Sequence, residues 1–358
     1  MLHVLKSASH QRADARLLGS RVRGNDKGGK WIAIAASVLL FAAGQAHAAD
    51  SNLFDGKTIT YIVATGPGGG YDVYGRLVAR YLQKHLPGSR IIVRNVPGAG
   101  HIVGANTLYA ARPDGLTIGT FNTGLIYDQL MQREGVLFDL KKFGWIGKAA
   151  ADTRALLIAS NSGFKSFDDL RHAKAPVKFA ASGVGAADFV ETRIIAGALH
   201  VNAQIIPGFT GSAGEMSMMR QEVAAKISTV DAMTDFIKAR HGFWALSLSS
   251  DGSVLPGVPR AMSYAKDERV RRLLTLIETL SDIGRLTAGP PGMPRDVLDA
   301  ERRAYDAVMK DPEFLADAKK LSLPISAATG ETVEAKITQA LAQPPETVAQ
   351  LKSAAGVK

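Results

Sequence analysis

The chain has 358 residues, 43 of them Lys or Arg against 33 Asp or Glu, giving a formal net charge of +10, and no cysteine. That length suits about two domains of ~100–200 residues, and 46% hydrophobic with 21% charged residues excludes a wholly disordered chain. The missing cysteines exclude disulfide scaffolds, zinc ribbons, iron–sulfur ligation, thiol catalysis and lipoprotein acylation together.

Seven of the basic residues (Lys6, Arg12, Arg16, Arg21, Arg23, Lys27, Lys30) and two acidic ones (Asp14, Asp26) fall within residues 1–48. Without them 36 basic and 31 acidic residues remain, a net of +5 spread thinly, which argues against nucleic-acid binding. Lys27 and Lys30 precede an apolar run of 13 residues, 31–43, followed by Ala46-His47-Ala48, an A-x-A pattern. Crossing hydrocarbon takes ~20 residues, so this segment reads as an export signal cleaved after Ala48 rather than a retained anchor. Residues 1–29 are expected to carry no fold, and the product to reside in a periplasm without a lipid anchor.

From residue 52 onward short apolar runs alternate with helical patterns, which predicts βα units and largely parallel sheets. A β-branched strand over 58–64 leads through a Gly-rich turn to a helix over 72–86. On it Val73, Leu77, Val78, Tyr81 and Leu82 form one stripe, Arg76, Arg80, Gln83 and Lys84 face away, and Asp72 reads as the N-cap. The unit repeats as strand 90–94, turn 97–100 and a helix to about 111. Pro113-Asp114-Gly115 then turns the chain into strand 116–120. The rhythm restarts after Asp152 with strand 155–159, a capping box from Ser166 to Asp169, strand 177–181 and helix 188–199. Strand 203–206, a Met-rich helix over about 215–221 and strand 224–228 follow. Met216, Met218 and Met219 read as core packing. After 289–294 the chain becomes helical, with Val297, Leu298, Tyr305, Val308 and Met309 as the apolar stripe. Two βα arrays and a helical return segment imply two α/β lobes with a cleft between them.

Four strand–turn–helix junctions are rich in glycine: 66–72, 97–104, 182–188 and 207–214. Glycine permits positive φ and close approach of a ligand, and the free amides of a helix N-terminus carry partial positive charge. Such junctions bind carboxylate or phosphate without Arg or Lys. The plainer reading, tight turns and nothing more, weakens when four share one layout. A dinucleotide enzyme fits poorly. Tyr71 stands where G-x-G-x-x-G needs its third Gly, and Arg94-Asn95 stands where an acidic residue should end the second strand. There is no G-x-S-x-G elbow, Thr210 occupying its first position, and no His pair spaced for a metal-binding helix, so no metal site or cofactor is expected. His101 alone lies in a candidate ligand loop, facing either solvent or the ligand.

The run 58–64 with Gly66-Pro67-Gly68-Gly69-Gly70-Tyr71-Asp72, then Val96-Pro97-Gly98-Ala99-Gly100 with Gly104, and Arg112-Pro113-Asp114-Gly115, resembles the Bug (TctC-like) family of extracytoplasmic solute receptors of tripartite tricarboxylate transporters. The resemblance spans about residues 55–355. It implies an α/β periplasmic binding protein, type II-like, whose two lobes close on a small organic carboxylate. Lobe one would be 52–152 plus 277–358, and lobe two 153–276. It further implies a non-enzymatic protein, expected to be a monomer, that serves membrane permease subunits of the transporter.

Carried over by residue, the ligand-binding set is Gly68, Gly69, Gly70, Tyr71 and Asp72 in the first loop, and Pro97, Gly98, Ala99, Gly100 and His101 in the second. Asn122 joins them from lobe one, with Ser182, Gly183, Thr210, Gly211 and Ser212 from lobe two. His101 departs from the small residue usual in the family, and lobe two carries fewer hydroxyls. The alternatives are an exported enzyme acting on a carboxylate-bearing molecule and a carboxylate sensor for a signalling ectodomain.

Overall fold

The computed structural model describes residues 53–209 and 212–356. The expected export signal, Thr210 and Gly211 lie outside the described residues. No helix among the described residues is long and apolar enough to cross a membrane.

The first stretch runs β1 (Thr58–Val63), α1 (Gly70–His85), β2 (Arg90–Asn95), α2 (Ile102–Tyr109), β3 (Thr117–Thr120), α3 (Leu125–Met131) and β4 (Gly144–Lys148). On α1 the stripe Leu77, Val78, Tyr81 and Leu82 is buried. Arg76, Arg80 and Lys84 point outward to Asp72, Asp317 and Asp311. The second stretch runs β5 (Arg154–Ala159), α4 (Phe167–Arg171), β6 (Val177–Ala181), α5 (Ala187–Leu199), β7 (Ala203–Pro207), α6 (Ala213–Met219), β8 (Ala225–Thr229), α7 (Thr234–Lys238), β9 (Gly242–Ser247) and α8 (Glu268–Ser281). Ser166 and Asp169 form the expected capping box on α4. The return consists of β10 (Leu286–Gly289), α9 (Arg295–Val308), α10 (Pro312–Lys320), β11 (Ala328–Thr329), α11 (Gly330–Leu341) and α12 (Pro345–Ala355).

The strands form two sheets, ordered β11-β4-β10-β3-β1-β2 and β7-β6-β8-β5-β9. Both are mixed, which corrects the expectation of largely parallel sheets. The βα units pair in parallel (β1 with β2 and β3, β6 with β7 and β8). The strands that enter a sheet from the other lobe, β5 and β10, pair antiparallel with their neighbours, so that β4 lies parallel to β3 with β10 reversed between them. A strand that enters a sheet from the other lobe needs no βα crossover, so the rule that makes such units parallel does not reach it.

One buried cluster joins the two lobes: Phe121 and Trp145 of the first, Val190 and Ile194 of α5, Leu274 and Ile277 of α8, and Leu351 of α12 all belong to it. The chain crosses between lobes twice. The crossing segments bond to each other, Asp152 N donating to Ser281 O at 2.7 Å and Ala149 N to Arg285 O at 3.2 Å. A Cβ on Gly284 would sit 2.5 Å from Asp152 N, so only glycine lets the two segments lie this close.

Two local expectations need correction. Asp72 is not the N-cap of α1; Gly69 is. Asp72 lies in the first turn and reaches back to accept from Gly68 N at 3.0 Å, a geometry that acidic residues at either position satisfy. Of the three methionines on α6 only Met218 is buried, while Met216 and Met219 are about half exposed. Residues three apart share a helix face, so Met216 and Met219 turn outward together.

Candidate functional site

A cleft of about 740 Å³ opens between the two sheets, within the ~300–1,000 Å³ usual for small-molecule sites. Two lobe-one loops line it. In the first, Gly69, Gly70 and Tyr71 face the cleft. The helix α1 begins here, and the N–H groups of Gly70 and Tyr71 find no acceptor among the described residues. Gly68 and Asp72 do not face the cleft. Their role is structural, since Asp72 ties Gly68 N, Asn95 Nδ2 (2.8 Å) and Arg76 Nε (2.9 Å) into one knot. Burial alone would raise the Asp72 carboxyl, but these donors hold it below the usual carboxylate range.

In the second loop Pro97, Gly98, Ala99, Gly100 and His101 all line the cleft. Gly98, Ala99, Gly100 and His101 have φ of 141°, 45°, 65° and 84°. For Ala99 and His101 that is a left-handed backbone that L-residues adopt at a cost of about 1–3 kcal/mol. The loop is anchored to its surroundings through His101. His101 Nδ1 accepts from Asn122 N at 3.2 Å, and its ring meets Tyr71 edge-on at 5.4 Å. Burial pushes the His101 imidazole down to about 4, against the nearby Asp152, so it is neutral and its protonated nitrogen is Nε2. The amides of Ala99 and Gly100 also lack an acceptor among the described residues. Four free amides from two helix starts therefore face one cavity, an arrangement suited to an anion.

Asn122, Ser182 and Gly183 line the cleft; Ser212 is exposed and does not. The Ser182 hydroxyl donates to Asp188 Oδ2 at 2.7 Å, so toward the cleft it offers lone pairs rather than a proton. Ser182 N and Phe189 N complete the bonding of Asp188.

The sequence reading missed the cleft's charged floor. Arg154, Lys226 and Arg285 all line it. Arg285 Nη1 pairs with Asp152 Oδ1 at 3.3 Å and its Nη2 with Asp231 Oδ2 at 2.8 Å, while its guanidinium lies 4.3 Å from the Tyr71 ring centre. Arg154 Nη2 pairs with Asp152 Oδ2 and its Nε with Glu191, both at 3.3 Å. The Tyr71 hydroxyl donates to Asp152 at 2.5 Å. Burial opposes the Asp152 charge, yet Arg285 and Arg154 hold its carboxyl below the usual range. The legible signal was a lone cation at the end of an apolar run, as in Arg154 before Ala155-Leu-Leu-Ile158 and Lys226 after Val223-Ala-Ala225.

The profile of the tripartite tricarboxylate transporter family receptors matches residues 75–324. The chain belongs to this family of receptors. The exported-enzyme alternative falls with that membership. Among curated relatives, the UPF0065 protein in the tcbD-tcbE intergenic region of Pseudomonas sp. strain P51 is 23% identical over 306 residues, 84% of this chain and 88% of that protein. Among solved structures, the periplasmic binding protein BugD is 22% identical with a TM-score of 0.69, covering 84% of this chain and 98% of its own. MatC from Rhodopseudomonas palustris with bound malate is 17% identical with a TM-score of 0.64, covering 81% and 98%. These likenesses establish the two-lobed periplasmic-binding-protein fold for the TctC-type receptor.

Proposed function

We propose that this receptor works in the periplasm, released by cleavage near Ala48, as a monomer that captures a small organic carboxylate. It hands that ligand to the permease subunits of a tripartite tricarboxylate transporter. Residues 52–152 with 277–358 act as lobe one and 153–276 as lobe two, closing about the crossings at Asp152 and Gly284. The observation that carries this reading is the convergence of the free amides of Gly70, Tyr71, Ala99 and Gly100 on one cleft. Malate in the related MatC supports the ligand class.

Gly69→Asp tests it cleanly. Gly69 has φ −82° and a Cβ there meets nothing within 4 Å, and Asp is a better N-cap than Gly. The variant should therefore fold as well as the wild type or slightly better, while its carboxylate blocks the amides and repels an anion. Calorimetry against di- and tricarboxylates should show binding by the wild type and none by the variant. Unaltered binding by Gly69→Asp sinks the assignment.

A further inference from the structure

The cleft presents cations to a ligand and hides their partners. Arg154, Arg285 and Lys226 line it, whereas Asp152, Glu191, Asp231 and Glu215, which pair with them, do not. The lining acid, Asp188, has both oxygens engaged by Ser182 and Phe189. The two arginines are committed, each bridging two acids across the lobe crossing. Lys226 is different. It rises from β8 in lobe two, its side chain is 9% exposed, and its Nζ meets one carboxylate oxygen, Glu215 Oε1, at 3.2 Å. An ammonium has three donors, so Lys226 holds donor capacity toward the cleft beside the lining residues Ser228 and Thr229. The free amides of lobe one already form one anion site, so a fixed, nearly buried ammonium on the other lobe calls for a second negative group.

We propose that Lys226 is the specificity-determining residue at the lobe-two end of this cleft, its ammonium pairing directly with the far carboxylate of a dicarboxylate ligand. Glu215 positions Nζ from behind. Closing the lobes brings Lys226 toward a carboxylate held at Gly70 and Ala99, so the second contact favours the closed form. The inference rests on the receptor reading above and adds the ligand's charge and the residue that reads it.

The test is calorimetric titration with α,ω-dicarboxylates from succinate to adipate, each set against the monocarboxylate of the same carbon count. The wild type should bind at least one diacid more tightly than its monoacid. Lys226→Gln should cut that diacid-to-monoacid affinity ratio roughly ten- to a hundred-fold, as expected for loss of a buried charge partner. The double variant Lys226→Gln with Glu215→Gln, which leaves no unpaired buried carboxylate, should do the same. Wild-type protein that binds monoacids with no diacid advantage overturns this pairing while leaving the receptor reading intact. So does an unchanged ratio in the double variant. Failure of the wild type to bind any carboxylate overturns both.

Discussion

Glu191 is fully enclosed on α5, 3.3 Å from Arg154, with Asp188, Asp152 and Tyr127 around it. Burial pushes its carboxyl up to about 8, against the pull of Arg154. In the unfolded chain a Glu titrates near ~4.3. The native state thus holds a proton that the unfolded state has lost between those values, and stability falls as pH rises through that window. Glu191's contribution is fully present below the unfolded value and is lost as pH rises through about 8. Glu191→Gln, permanently neutral, should flatten that part of the curve. Thermal unfolding of both proteins from pH 5 to pH 9 checks this. A wild-type slope that survives in the variant assigns the titration elsewhere.

At the scale of elements, both lobes present a glycine-rich junction whose following helix carries an acid that ties the junction down. Asp72 does so for Gly68 and Asp188 for Ser182. Asp72→Ala removes the acceptor of the Gly68 amide, one of the two acceptors of Asn95 Nδ2 and the partner of Arg76, and should destabilise the protein by about 0.5–1.5 kcal/mol. Denaturant unfolding measures that, and a loss below a few tenths of a kcal/mol contradicts the tie. Element type and order were legible in the sequence through β-branched runs, the α1 stripe and the Ser166 capping box. Strand direction at β5 and β10 was not, because local periodicity carries no record of which lobe a strand enters from. The same division holds for the site. Glycine loops announce themselves through backbone chemistry, whereas Arg154, Lys226 and Arg285 become a cleft floor only once the two sheets face each other.

For the whole molecule, one core cluster and two bonded crossings place the cleft on one side of a joined pair of sheets. Opening and closing about Asp152 and Gly284 would move the lobe-two floor against the lobe-one amides while the buried network of Arg285, Asp152 and Arg154 stays at the axis. In the proposed mode of binding, lobe-one amides grip a carboxylate there. Titrating isotope-labelled protein with the tightest-binding carboxylate, while following backbone amide resonances, tests it most directly. Saturable shifts should be largest at Gly70, Tyr71, Ala99 and Gly100. Saturable binding that leaves those four amides unmoved contradicts this mode of binding.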